Sequence, residues 1–196
     1  MKRINVLVIN CLFLMALWSC GGSGMDKANN AIKFGKNRAK NLEKANNAIQ
    51  DCLAKNDFEG AHRILNQIPY GNDVILDIYQ DPLQDKVYQA EITYLVDQNT
   101  DEAWQRAYAL VVQYKIMYRF SNEDYELRKK LEISELLSNY VVAFGHEKTA
   151  KQLIKYVEGI LYECEEGKKN AESYDQDDWR ENISKARSII TKLKSV

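Results

Sequence analysis

Proline is nearly missing from this chain. Pro69 and Pro82 are the only two in 196 residues, and nowhere do alternating β-branched residues run for long. A sandwich or barrel needs many short alternating strands between turn residues, so all-β architectures are excluded. Histidine and cysteine are scarce as well. The two histidines, His62 and His146, are far apart, and Cys11, Cys20, Cys52 and Cys164 form no Cys-x-x-Cys or Cys/His cluster for zinc or redox chemistry. His146-Glu147-Lys148-Thr149-Ala150 begins as a zinc-protease helix does, but alanine stands where the second histidine belongs. No Gly-x-Ser-x-Gly, Walker loop or dinucleotide fingerprint occurs. Asp175-Gln176-Asp177-Asp178 lacks the turning glycine and final glutamate of a calcium loop, and acids at a helix N-terminus account for it. Charge of one sign is also lacking. The 27 Lys+Arg and 28 Asp+Glu are interleaved, which leaves no basic footprint for nucleic acid and no polybasic membrane patch. A chain so composed is expected to be no enzyme and to use no metal or cofactor.

What is present begins at the N-terminus. Met1-Lys2-Arg3 precedes an apolar run from Ile4 to Trp18, followed by Ser19-Cys20-Gly21-Gly22-Ser23-Gly24. The run is shorter than the ~20 apolar residues of a spanning helix. It is broken by Asn5 and Asn10 and followed by a polar glycine-rich segment, which is the pattern of an export signal. Leu17-Trp18-Ser19-Cys20 resembles the lipobox of bacterial lipoproteins, with Trp18 in a place where small residues are commoner; relaxed boxes of this kind are similar to those of Bacteroidota lipoproteins. The resemblance implies that residues 1–19 are removed, that Cys20 carries the lipid, and that residues 20–26 are a tether to a single α-helical domain over 27–196. Loss of Lys2 and Arg3 takes the formal net charge from −1 to −3. Gly21 is not the aspartate of inner-membrane retention, and the first acid after the cysteine is Asp26. Both points lead to the expectation of an outer-membrane lipoprotein that faces the periplasm. Cys52 and Cys164 then remain, 112 residues apart on apolar stripes, and are expected to be independent buried thiols.

Beyond the tether, apolar residues recur at intervals of three and four, the helical period. The spacing predicts seven main helices. The first runs from about Lys27 to Lys55 and breaks at Asn56-Asp57; the second carries Ala61, Ile64, Leu65 and Ile68 and stops at Pro69. Val74 to Tyr79 is an apolar clip, helical or extended. Asp81-Pro82 then reads as an N-cap with proline in the first helical position, opening a face of Leu83, Val87, Ala90, Tyr94 and Leu95. Asn99-Thr100 ends that helix and caps the next, which carries Ala103, Trp104, Ala107, Tyr108, Val111, Tyr114 and Met117. Ser121-Asn122-Glu123-Asp124 resembles a capping box for a helix reaching Phe144. After Gly145-His146, the stripe Ala150, Leu153, Ile154, Val157, Ile160, Leu161 and Cys164 is expected to end near Gly167. A last helix carries Trp179, Ile183, Ala186, Ile190 and Leu193.

Three breaks look alike, at Asn56-Asp57-Phe58-Glu59-Gly60-Ala61, Gln98-Asn99-Thr100-Asp101-Glu102-Ala103 and Gly145-His146-Glu147-Lys148-Thr149-Ala150. Each places a polar turn before an alanine, and small side chains let two hairpin helices approach closely. The pattern resembles the centre of a tetratricopeptide repeat, although the alanines are 42 and 47 residues apart and not 34. It implies stacked helical hairpins in a short solenoid; a compact helical bundle is the alternative. The motif Lys27-Ala28-Asn29-Asn30-Ala31-Ile32 recurs as Lys44-Ala45-Asn46-Asn47-Ala48-Ile49, but a 17-residue shift rotates about 100° around a helix and makes no continuous stripe.

Tyrosine is the abundant aromatic, with 12 copies in all, of which Tyr88, Tyr94, Tyr108, Tyr114, Tyr118, Tyr125 and Tyr140 crowd the middle of the chain. Tyr94, Tyr108 and Tyr140 fall on apolar faces and are expected in the core. Tyr88 and Tyr118 lie off the stripes and are the candidate partner-binding residues. The expected function is that of a non-catalytic, lipid-anchored helical adaptor binding a protein partner at the periplasmic face of the outer membrane. By analogy of fold and address, it would be an accessory subunit of an envelope-spanning machine such as a secretion system, type VI among them. The alternatives are an immunity or inhibitor lipoprotein against a toxin and, less favoured, a hydrolase or glycan-binding protein.

Overall fold

A computed structural model of the chain describes residues 40–68, 74–115, 123–172 and 176–196, with only the backbone of 74–81. The signal segment, Cys20, Tyr118 and Ser121 lie outside the described residues. The chain divides into two compact units, 1–47 and 48–196. Among the described residues there are seven helices and no strands: α1 (40–54), α2 (Phe58–Gln67), α3 (Val74–Gln98), α4 (Asp101–Gln113), α5 (Glu123–Phe144), α6 (Glu147–Asn170) and α7 (Gln176–Leu193). The protein is all-α, as its periodicity predicts. No described helix is long and apolar enough to cross a membrane.

The three look-alike breaks share one geometry. Asn56, Asn99 and Gly145 take φ of 56°, 47° and 65°, the left-handed conformation that reverses the chain after a helix. Asparagine tolerates it and glycine adopts it freely. After α1 and α5 the turn closes as a Schellman motif. Asp57 N–H donates to the Cys52 carbonyl and Asn56 N–H to Leu53; His146 and Gly145 repeat this onto Val141 and Val142. The next residue caps the following helix. Asp57 Oδ1 accepts from Gly60 N–H at 2.9 Å, Thr100 Oγ1 from Ala103 N–H at 3.2 Å and His146 Nδ1 from Thr149 N–H at 3.3 Å. All three alanines are buried, but they lie four, three and four residues beyond their caps. In the second turn Trp104 therefore takes the place of Ala61 and Ala150. Counted by the left-handed residue, the turns are 43 and 46 residues apart.

Successive turns also touch. The Trp104 indole donates to Asn99 Oδ1, while the His146 ring stacks on Trp104 at 4.6 Å and the Phe144 ring meets it edge-on. Among α2 to α7 of the described residues, helices pack only against neighbours one or two places away in sequence: α2 on α3, α3 on α4 and α5, α4 on α5 and α6, and α5, α6 and α7 on one another. That nearest-neighbour pattern fits a short solenoid of hairpins and a compact bundle alike. The last helix, α7, has a buried face of Trp179, Ile183, Ala186, Ile189, Ile190 and Leu193 and a polar outer face.

Two expected boundaries are displaced. Pro82 does not open a helix; it lies inside α3, which begins at Val74. The apolar clip has no glycine or second proline to stop it, so the helix runs through at the cost of one backbone hydrogen bond. Nor does Gly167 end α6, which continues to Asn170. A Cβ on Gly167 would lie 2.3 Å from Trp179 Cη2, so the missing side chain is the hole into which the indole plugs. Cys52 and Cys164 are free thiols, Cys164 buried and Cys52 half-buried.

Candidate functional site

Helix α3 turns an unexpected face inward. Its buried residues are Gln84, Val87, Glu91, Ile92, Leu95 and Val96, while Tyr94 is 40% exposed and Leu83 and Ala90 are only partly covered. The buried face is rotated from the one predicted because it admits two polar residues, Gln84 at 2% and Glu91 at 8% exposure, that find partners. Glu91 Oε2 lies 2.8 Å from His62 Nε2 of α2. The Gln84 amide donates to the Lys115 carbonyl beyond α4 at 2.5 Å.

Tyr88 sits one turn before Glu91, between these two contacts. Its ring meets His62 edge-on at 5.1 Å and Tyr114 edge-on at 5.0 Å. Burial, followed by the Glu91 carboxylate, pushes its phenol above the ordinary tyrosine value, so the hydroxyl stays a donor. Tyr114 hydroxyl donates to Asp85 Oδ1 at 2.5 Å, and Lys129 of α5 donates to Asp85 Oδ2 at 2.6 Å and to Glu132 at 3.0 Å. Burial disfavours the Lys129 ammonium, but the hydrogen bonds to Asp85 and Glu132 outweigh it and raise its pKa. Residues 84, 85, 88 and 91 thus form one polar and aromatic face of α3 that reaches α2, the end of α4, and α5.

A cavity of about 170 Å³ opens beside this face, lined by His62, Leu65, Asn66, Gln84, Tyr88 and Lys115. It offers an imidazole, two primary amides, a phenol and an ammonium, which suit a polar side chain presented from outside. A histidine oriented by a carboxylate is half of a nucleophile-activating pair. This lining supplies no aliphatic hydroxyl or thiol for it to act on. Among the described residues no three His, Cys, Asp or Glu gather as metal ligands would.

Of the two tyrosines expected to bind a partner, Tyr88 lines this cavity, wedged and half-buried, and Tyr118 lies outside the described residues. Of those expected in the core, Tyr108 and Tyr140 pack half-buried against it, Tyr140 sharing a 3.0 Å hydrogen bond with Thr93, whereas Tyr94 is on the surface against Phe58. His62 is the residue that pattern reading missed. Its signal was Glu91, a carboxylate halfway between Val87 and Leu95 at four-residue spacing, where an apolar stripe needs a partner for it. Compared with known proteins, the chain matches no family model, and no curated protein and no solved structure is significantly similar to it.

Proposed function

We propose that the protein is a non-catalytic, lipid-anchored helical adaptor that binds protein partners of the cell envelope. The nearest-neighbour packing of the helices supports this reading, since successive hairpins of this kind present their outer faces side by side as a surface for a partner. The export-signal pattern of residues 1–20 supplies the address, with acylated Cys20 holding the domain at the periplasmic face of the outer membrane. A role as accessory subunit of an envelope-spanning assembly follows from that address and fold. The partner-facing surface is the α2–α3 face around Asn66, Tyr88 and Lys115.

A photo-crosslinking residue at exposed Asn66, compared with one at exposed Arg187 of α7, tests the reading in cells that make the full chain. The expected result is a discrete protein adduct from position 66 that is absent from position 187. Cys20→Ala is expected to release the protein from the membrane fraction and to remove that adduct. The same adducts from both positions would overturn the assigned face, and a Cys20→Ala protein still pelleting with membranes would overturn the anchor.

A further inference from the structure

Helix α6 carries two interior glycines with opposite environments. An interior glycine costs a helix about 1 kcal/mol relative to alanine, so each calls for a return. Gly167 makes room for Trp179. Outside α6, Gly60 lies against the capping Asp57 carboxylate, and Gly145 holds a φ of 65°. Gly159, the thirteenth residue of α6, would meet nothing within 4 Å if it bore a Cβ. No packing explains it. It lies instead in a cleft of about 400 Å³ where α4, α5 and α6 meet, lined by Tyr108, Lys130, Lys155, Tyr156, Ile160 and Glu163 as well.

The cleft is polarised. Lys155 and Glu163 are eight residues apart on α6, about 12 Å along its axis at 1.5 Å per residue. Among the described residues neither makes an ion pair. Lys130 is already held by Glu126 at 2.9 Å. Between the two free charges lie Gly159, the Ile160 side chain and two phenols. The Tyr156 hydroxyl has only a long 3.5 Å approach to the Val111 carbonyl, and burial followed by Glu163, Tyr108 and Glu126 pushes its pKa up to about 12. It therefore remains a donor. Side chains alternate faces along an extended peptide, which advances about 3.3 Å per residue, so two on one face four residues apart are about 13 Å apart, close to the span of the two charges.

We propose that this cleft binds an extended peptide segment of a partner protein, with an acidic side chain at Lys155, a basic one four residues away at Glu163, and its backbone over Gly159. The proposal rests on the adaptor reading and deepens it with a second contact, remote in sequence from the α2–α3 face. The charges set the order of side chains, and the phenols of Tyr108 and Tyr156 donate to peptide carbonyls. Gly159 lets the peptide backbone approach the helix where any side chain would stand in the way.

The test uses the full chain in mild detergent and four end-blocked fluorescent peptides: Glu-Ala-Ala-Ala-Lys, Glu-Ala-Ala-Ala-Glu, Lys-Ala-Ala-Ala-Lys and Gln-Ala-Ala-Ala-Gln. Wild type is expected to bind Glu-Ala-Ala-Ala-Lys at least tenfold more tightly than Gln-Ala-Ala-Ala-Gln, with a shift of the Gly159 amide resonance on titration. Lys155→Glu is expected to transfer the preference to Lys-Ala-Ala-Ala-Lys, and Glu163→Lys to Glu-Ala-Ala-Ala-Glu. Gly159→Leu should abolish binding of every probe while the melting temperature stays at or above that of wild type. An unchanged peptide ranking in the two charge variants, wild-type binding by Gly159→Leu, or no amide shift with any probe overturns the proposal. Because crosslinking from Asn66 reads a different surface, a surviving adduct there would leave the adaptor reading standing when this proposal falls.

Discussion

Helices α5, α6 and α7 are joined by aliphatic side chains, whereas α2 and α3 are joined in part through charge. In the first group Leu131, Leu137, Leu153, Val157, Ile160, Ile183 and Leu193 interdigitate, and the Trp179 indole plugs the hole over Gly167. In the second, a buried glutamate is held by a histidine, and a tyrosine ring is wedged against that histidine. The two regions differ in what a missing partner does. An apolar contact that is lost leaves a void, and its cost grows with volume. A polar contact that is lost strands the survivor, and its cost grows with desolvation. The C-terminal helices are accordingly held by the volume they fill, and the α2–α3 contact by the pairing of its polar groups.

The largest effect expected from breaking this contrast is at Trp179. Trp179→Ala should cost about 3–5 kcal/mol by urea unfolding, since the hole over Gly167 then stays empty. A loss below about 1 kcal/mol would mean that α7 is not held by its plug. Next in size, His62→Ala should cost about 1–3 kcal/mol by stranding the Glu91 carboxylate. The pair His62→Leu with Glu91→Leu should recover most of that loss, because two apolar groups leave no unpaired charge. If the two changes are instead additive, the His62–Glu91 pair is not the joint between α2 and α3.

The smallest effect is confined to alkaline pH. Burial, then Glu163, Glu123 and Glu165, push the Cys164 thiol up to about 12, against about 8.5 for an ordinary cysteine. With the folded value raised, this stabilisation is full below about pH 8.5 and is lost as pH rises toward 12, because the unfolded thiol ionises first. Melting temperature should therefore fall between pH 8.5 and 11, and fall less steeply in Cys164→Ala. Equal slopes in both proteins would place the alkaline sensitivity elsewhere; Tyr156 acts in the same direction from its ordinary value near 10.

The difference between the regions also explains how much could be read from the chain. The stripes of α6 and α7 are apolar at every third and fourth position, so their buried faces are legible from periodicity alone. Asn56, Asn99 and Gly145 are legible as breaks because few residue types adopt a left-handed backbone. Pattern reading fails where a local signal is answered by a distant residue. Gly167 reads as a helix end until Trp179 fills it. Glu91 joins the buried face only because His62 meets it, and a face drawn from apolar residues alone is rotated and places Tyr94 inside. Pro82 fails for the opposite reason, as a strong local signal overridden by the apolar residues that precede it. The cleft at Gly159 is hidden in the same way, since its lining comes from three helices that only packing brings together.

The nearest-neighbour packing of α2 to α7 has a kinetic meaning too. Contacts restricted to helices one or two places apart keep sequence separations short, and chains with short separations fold quickly. The C-terminal trio can become ordered first and serve as a template onto which α4 and then α3 are laid, each addition needing only the surface just formed. Native-state hydrogen exchange should then be slowest in α5 to α7 and fastest in α2, with opening that proceeds from the N-terminal side in steps and not all at once.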